Sequence, residues 1–357
     1  MSEAASEATS EAMSEAMSRP IGESRLQYVR AVDAADAVAL GSRTGATFVA
    51  GGTDLIQLLK SGVIAPSALI DISRLPLNDI ALKDGELHLG ALARLSDVAA
   101  NRDVKRSHPL ITQAIEASAC GQVRNMASVG GNLLQRTRCV YFRTEGVACN
   151  KRKAGSGCGA LAGENRQAAL FGRNPLCVAT HPSDLAVALA ALGAEVEILG
   201  RTDSRRIVLT ALYSTADNTS HYTPEQDTTL ASGELITAVR IANAERFAAH
   251  STYLKVRDRA SFEFAVVSIA AALRLHDGVI VEARLAAGGV AARPWRLRHI
   301  EAALLGQVPN TPVFTQAAQL VAEGAAEGAQ PLTDNRFKID LLRNAIVRAL
   351  ETVGGQS

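Results

Sequence analysis

With 357 residues the chain is long enough for two or three domains that each bury a core, which excludes a small disulfide-stapled module. Hydrophobic residues make up 47%, charged residues 20%, and the formal net charge is +1, a balance that fits a soluble globular protein and not a general nucleic-acid binder. The longest apolar runs, such as 184–199, contain helix-to-strand punctuation and are too short to cross a bilayer, so no membrane span is expected.

Residues 1–24 repeat Ser-Glu-Ala with variations and lack the basic start, apolar centre and twin arginine of an export signal. They read as a low-complexity tail. Residues 26–30 read as a strand and 32–42 as an alanine-rich helix. An apolar strand at 47–50 ends in Gly51-Gly52-Thr53-Asp54 and gives way to a helical pattern at 55–60. Further strands are expected at 68–71 and 86–89, and helices at 95–101 and 110–119. Residues 136–171 show no sustained period and are long for a connection, so something other than an apolar core must hold them. Pro182-Ser183-Asp184 opens a helix through 191, Gly193 closes it, and 194–199 returns as a strand. A boundary follows the strand 235–241, at 243–249. Beyond it lie strands at 251–257, 265–275 and 279–287 and helices at 295–304, 315–323 and 336–353, a separate α+β unit.

Two segments share one chemistry, Ala50-Gly51-Gly52-Thr53-Asp54 and Ala127-Ser128-Val129-Gly130-Gly131-Asn132. Paired glycines let successive backbone N–H groups approach an anion with no side chain in the way. Thr53, Ser128 and Asn132 add side-chain hydrogen bonds, and the helix after Thr53 adds its positive end. A single Gly-Gly is ordinarily just a tight turn. Two of them suit a dinucleotide pyrophosphate, although neither has the G-x-G-x-x-G spacing of a Rossmann fingerprint and there is no P-loop.

Four of the five cysteines, Cys139, Cys149, Cys158 and Cys177, fall in or beside the aperiodic segment, among Arg136, Arg138, Arg143, Lys151, Arg152 and Lys153. An iron–sulfur cubane on four thiolates carries net negative charge that such cations stabilise, and ligation supplies folding energy. Structural zinc also takes four thiolates, usually in C-x-x-C pairs, which are absent here. Disulfides in an oxidising compartment, unbound buried thiols, or a basic surface for an acidic partner or nucleic acid are the other readings of the same residues. Cys120 stands apart and reads as a small buried residue. There is no H-E-x-x-H or G-x-S-x-G, and the seven histidines show no ligand spacing; His181 reads as a partner for local backbone.

In the order Ala50–Leu55, Val123–Leu133, Pro182–Leu185, Gly233–Ile236 and Gly288-Gly289-Val290, the chain resembles the FAD-binding subunits of the xanthine dehydrogenase and carbon monoxide dehydrogenase family, over roughly residues 26–353. The resemblance implies an α+β fold. A two-part FAD-binding domain of the vanillyl-alcohol-oxidase (PCMH) type spans 25–245, with an iron–sulfur loop at 136–178, and a C-terminal domain of the CO dehydrogenase flavoprotein type spans 246–357. It implies that Val49, Ala50, Gly51, Gly52, Thr53, Asp54 and Leu55 wrap the FAD pyrophosphate, with Ser128, Gly130, Gly131 and Asn132 alongside. Asp184 is implied near the adenosine half, Ile236 beside the ring system and Lys255 close to the isoalloxazine, where a cation favours the anionic reduced flavin. Read without the resemblance, Asp184 caps its helix and Lys255 is a solvated strand residue.

The stretches Asn132–Cys139, Cys149–Arg152, Gly155–Cys158, Cys177–Pro182 and Lys255–Ser261 are closer still to the flavin subunit of bacterial periplasmic aldehyde oxidoreductases. That branch implies a [4Fe-4S] cluster on Cys139, Cys149, Cys158 and Cys177, and leaves its place on or off the electron path open. The implied assembly is a heterotrimer. A large molybdenum-cofactor subunit oxidises the substrate, a small subunit carries [2Fe-2S] centres, and this chain passes electrons through FAD to an external acceptor. With no signal of its own, the chain is expected in the periplasm only through a signal-bearing partner, and otherwise in the cytoplasm. Two further readings compete: a zinc-organised FAD-binding scaffold without a redox cluster, and a self-sufficient flavin dehydrogenase.

Overall fold

Residues 26–215, 222–322 and 328–355 are described by a computed structural model, so the tail at 1–24 lies outside them. Strands β1 (Gln27–Arg30), β2 (Ala46–Val49) and β3 (Ala68–Asp71) form a parallel sheet in the order β1-β3-β2. Parallel neighbours need crossovers. Helix Ala34–Gly41 carries the chain from β1 to β2, the strands on either side of β3, and buries Ala37, Val38 and Leu40 against Ile70 and Ile72. Its start is fixed by Asp33, whose side chain caps the Asp36 N–H.

The second sheet is antiparallel: β4 (Ile80–Lys83), β5 (Glu86–Gly90), β6 (Glu195–Leu199), β7 (Ser204–Val208) and β8 (Leu235–Ala242), ordered β4-β5-β8-β6-β7. One face carries Glu86, Glu197, Arg206 and Arg240 in an ion-pair network, and the other gives Leu87, Leu89, Val196, Ile198, Val239 and Ile241 to the main core. Two of these strands, β4 and β7, are missing from the expectation above. β4 had a readable signal, since Asp84-Gly85 joins it to β5 with φ of 52° and 75°, the left-handed pair of a two-residue hairpin.

The third sheet contains β9 (Ser251–Val256), β10 (Val267–His276), β11 (Val279–Gly288) and β12 (Trp295–Arg296), ordered β12-β11-β10-β9 and antiparallel. Period-two alternation sorts its faces. Ala270, Ala272 and Ala286 join the main core, whereas Ile269, Ala271, Leu273 and Leu285 pack under helices Arg298–Leu304, Thr311–Gln319 and Phe337–Gly354. The helix expected at 295–304 therefore starts late, because Trp295 and Arg296 pair with Ala287 and Ala286 before the chain turns helical. Helix Asp184–Ala191 packs on β10 and β11 and on helix Pro109–Ala117, and all its residues are buried, in keeping with the apolar run that follows Asp184.

The cysteine segment has only a helical turn at Val140–Arg143 and a 3-10 turn at Gly159–Leu161. It is not coreless, contrary to its lack of period. Phe142, 1% exposed, packs with Leu58, Cys149, Val63 and Ile64, while Ala160, Ala168 and Val178 form a second small cluster with Tyr141 and Leu332. Residues from the C-terminal end clamp its far side. Asn165 and Asp334 exchange bonds of 3.2 and 2.8 Å, Asn335 Nδ2 donates to Ala168 O at 3.0 Å, and Lys338 Nζ donates to Ala168 O at 3.1 Å and Gly289 O at 2.7 Å.

Candidate functional site

The two glycine-bearing segments meet. A Cβ on Gly51 would lie 1.8 Å from Met126 O, so the first turn presses on the backbone that leads into the second with no room for a side chain. Gly52 sits at φ 69°, in the left-handed region. Among the described residues nothing accepts a hydrogen bond from the backbone N–H of Gly51, Gly52, Thr53 or Asp54. All four are half-buried, which leaves these donors open to a ligand from the solvent side. Val49 ends β2 and Leu55 begins a helix of six residues, Leu55–Lys60, so little axial dipole stands behind the turn.

The second segment uses its donors differently. Val129 N–H donates to Ala93 O, Gly130 N–H to Ala91 O, Gly131 N–H to the Ser128 hydroxyl and Asn132 N–H to Ser128 O. These groups belong to the first turn of helix Val129–Leu133, capped by Ser128, and do not form the open nest that the glycine pair suggested. Gly130 serves close packing, with its Cβ position 3.1 Å from that of Ala91. What this segment presents is side-chain chemistry at Asn132, whose Oδ1 accepts from Ser183 Oγ at 2.6 Å.

Asp184 and Lys255 stand together. Lys255 Nζ lies 2.8 Å from Asp184 Oδ2, both side chains are 4% exposed, and Tyr253 donates to Asp184 Oδ1 at 2.6 Å. Tyr253 and Lys255 are two residues apart on β9 and so share a face. Burial pushes the Asp184 carboxyl up, opposed by Lys255 and then Tyr253, and burial beside this carboxylate pushes the Tyr253 phenol well up. The pairing corrects two expectations. Ser183, not Asp184, caps the helix, and Lys255 is not solvated. Tyr253 was missed, although its period-two spacing from Lys255 was readable. Asp184 opens onto a groove with Arg138, Ser183, Phe264, Ser268 and Gly289, whereas Ile236 is 4% exposed inside the main core.

His181 closes the local network. Its Nε2–H donates to Leu133 O at 3.1 Å, Ser183 N–H reaches Nδ1 at 3.4 Å, and burial pulls its pKa down to about 4, so the ring is neutral. This is the backbone-pairing role expected of it. Cys120 is half-buried at the start of the Gly121–Arg124 turn, more open than expected.

The other four cysteines are brought into one neighbourhood. Cys149 and Cys158 face each other across an antiparallel bridge, and Cys139 and Cys177 lie within electrostatic reach of Cys158 and of each other. All are free thiols, and burial pushes Cys177 up to about 11 despite Lys151. Among the described residues no three His, Cys, Asp or Glu side chains converge on one metal ion. The surrounding cations are not free either. Arg138 and Arg143 pair with Asp54, and Arg136 and Lys151 with Asp227, so four cations meet two carboxylates and two positive charges are left over.

Residues 24–243 match the family described as the FAD binding domain in molybdopterin dehydrogenase, and residues 252–353 match the CO dehydrogenase flavoprotein C-terminal domain. The chain is 42% identical over 317 residues to the aldehyde oxidoreductase FAD-binding subunit PaoB of Escherichia coli K12, covering 88% of this chain and 93% of that one. This chain belongs to the FAD-binding subunits of the molybdenum hydroxylases. This FAD-binding subunit is also 27% identical over 275 residues to the glyceraldehyde dehydrogenase medium chain of Sulfolobus acidocaldarius, covering 77% and 78% of the two chains. Its fold matches a chain of CO dehydrogenase from Oligotropha carboxidovorans with a TM-score of 0.71 at 21% identity, over 93% and 99% of the two chains. A chain of quinoline 2-oxidoreductase from Pseudomonas putida 86 gives 0.70 at 22%, over 93% and 98%.

The subunit's own residues fit the cofactor. A cradle closed to any Cβ at Gly51, backed by four unspent N–H donors, suits a pyrophosphate that needs close backbone approach. No helix among its described residues is long and apolar enough to cross a membrane.

Proposed function

We propose that the protein is the electron-transfer flavin subunit of a heterotrimeric molybdenum-dependent aldehyde oxidoreductase, with a [4Fe-4S] cluster on Cys139, Cys149, Cys158 and Cys177. The observation that carries this reading is the open Gly51–Asp54 turn in a chain that spans 93% of a FAD-binding aldehyde oxidoreductase subunit at 42% identity. Bound FAD supplies the exchange of electrons between a partner's [2Fe-2S] centres and an external acceptor. The chain's part is to hold and orient it. The backbone N–H groups of residues 51–54 bind the pyrophosphate, and Asn132 adds its amide. Lys255, fixed by Asp184 and by Ala117 O at 3.1 Å, keeps a buried cation beside the groove.

Support for the cluster comes from four thiols, drawn from positions 139 to 177, gathered under an excess of two cations. Anaerobic purification followed by flavin, iron and sulfide analysis tests both cofactors. About one FAD and four irons with matching sulfide per chain are expected; a single zinc returns the scaffold reading. Aldehydes must leave the flavin of the isolated chain oxidised and reduce it only once the partner subunits are added. Rapid reduction in the isolated chain overturns the proposal.

A further inference from the structure

Five Asp, Asn or Ser residues begin helices here in the ordinary way. Asp33, Asn101, Ser128, Ser183 and Asn310 all have extended backbone, and each accepts a hydrogen bond from its own helix. Asp54 does neither. It has φ −109° and ψ −48°, a helical conformation, and its side chain makes no capping bond.

Its carboxylate is turned toward the cysteine segment. Arg136 N–H donates to Oδ2 at 2.8 Å, and Arg138 and Arg143 each reach Oδ1 at 2.8 Å, with the Asp54 side chain 15% exposed. Three charge-assisted bonds outweigh the one cap given up. From Arg143 the contacts continue inward. Its Nε donates to Thr137 O at 2.9 Å, and the Thr137 hydroxyl accepts from Cys139 N–H at 3.3 Å. An unbroken series of hydrogen bonds thus joins a cysteine backbone to the residue whose own N–H is one of the four open donors.

We infer that Asp54 is a positioning residue that couples the cysteine segment to the flavin turn: the ordered segment holds the turn in its open, non-capping conformation, and ligation of its thiols strengthens that hold. Released from the arginines, residue 54 relaxes to the extended capping state of the other five, and its N–H swings out of the nest. The inference rests on the proposed placement of FAD at this turn and of a cluster on the four cysteines. Coupling of this kind is reciprocal, so cluster occupancy tightens FAD and FAD tightens the cluster.

The test uses the full chain, with FAD dissociation constants from flavin fluorescence and iron measured in parallel. Removing iron from the wild type with an anaerobic chelator is expected to weaken FAD about 5- to 150-fold, the usual range for coupled sites. In Asp54→Asn, FAD is already weaker and chelation changes it less than about two-fold. Arg143→Gln lies outside the flavin turn and weakens FAD as well, with Arg143→Lys restoring part of the affinity. Equal weakening by chelation in wild type and Asp54→Asn overturns the coupling, as does an Arg143→Gln affinity within two-fold of wild type. If the wild type contains no iron, the cluster reading fails on its own, and the arginine variants still decide whether Asp54 is tied to the turn.

Discussion

The two glycine pairs of this protein look alike in sequence and use their backbones in opposite ways. Gly51-Gly52 sits in a turn whose N–H groups donate to nothing among the described residues, while Gly130-Gly131 gives its N–H groups to Ala91 O and the Ser128 hydroxyl. What separates them is the cap residue of the helix each pair adjoins. Ser128 caps its own helix and takes the Gly131 donor, whereas the Asp54 side chain is held elsewhere and makes no cap. A glycine pair therefore signals close backbone approach, and the cap decides whether the approach serves a ligand or the protein's own packing.

The contrast can be broken most directly at Gly51. In Gly51→Ala the new methyl meets a rigid carbonyl at 1.8 Å. The backbone shift that relieves it costs about 3 kcal/mol, on the order of 100-fold in FAD affinity, read by flavin fluorescence. Unchanged affinity would mean that the first turn is not the nest.

Acid sharpens the comparison from the other side. The folded pKa of His181 is depressed to about 4 by burial, and its ring holds Leu133 O at the end of the second segment. Above the unfolded value of about 6.5 its contribution to stability is complete, and it is lost as pH falls from there toward 4. Denaturant titrations should show a loss of order 2 kcal/mol across that window, flattened in His181→Gln. Hydrogen exchange should open Val129–Leu133 before residues 51–55; simultaneous opening counts against a separate role for the second segment.

Gly130→Ala is the mildest change. Its methyl meets the Ala91 Cβ at 3.1 Å and the Ala91 carbonyl at 3.2 Å, contacts that need a shift of a few tenths of an ångström, and alanine gains helix propensity. Stability should move by less than about 1 kcal/mol and FAD affinity by less than about three-fold. A loss matching that of Gly51→Ala removes the distinction between the turns.

Much of this was legible in the chain itself. The run at 184–191 was legible as a helix, and 265–275 and 279–287 as strands, which the structure joins through the Asp277-Gly278 turn with φ of 48° and 75°. Lys255 was singled out, but its burial depends on Asp184, 71 residues away, and no local pattern encodes that pairing. The same holds for the basic residues around the cysteines. Their sequence shows charge, while Asp54 and Asp227, which pair with four of the six cations, approach from elsewhere in the chain. The Trp295-Arg296 strand was hidden because two residues are too few for a period and are recruited by a neighbouring ladder.

The clamp on the cysteine segment also orders events in time. Asp334 is 169 residues downstream of Asn165 and Lys338 is 170 downstream of Ala168, so the segment is synthesised long before its fasteners exist. At about 5–20 residues per second, the nascent chain displays these thiols without their final enclosure for roughly 10 to 30 s. That interval is a window in which assembly factors can reach the cysteines, and in which oxygen can too.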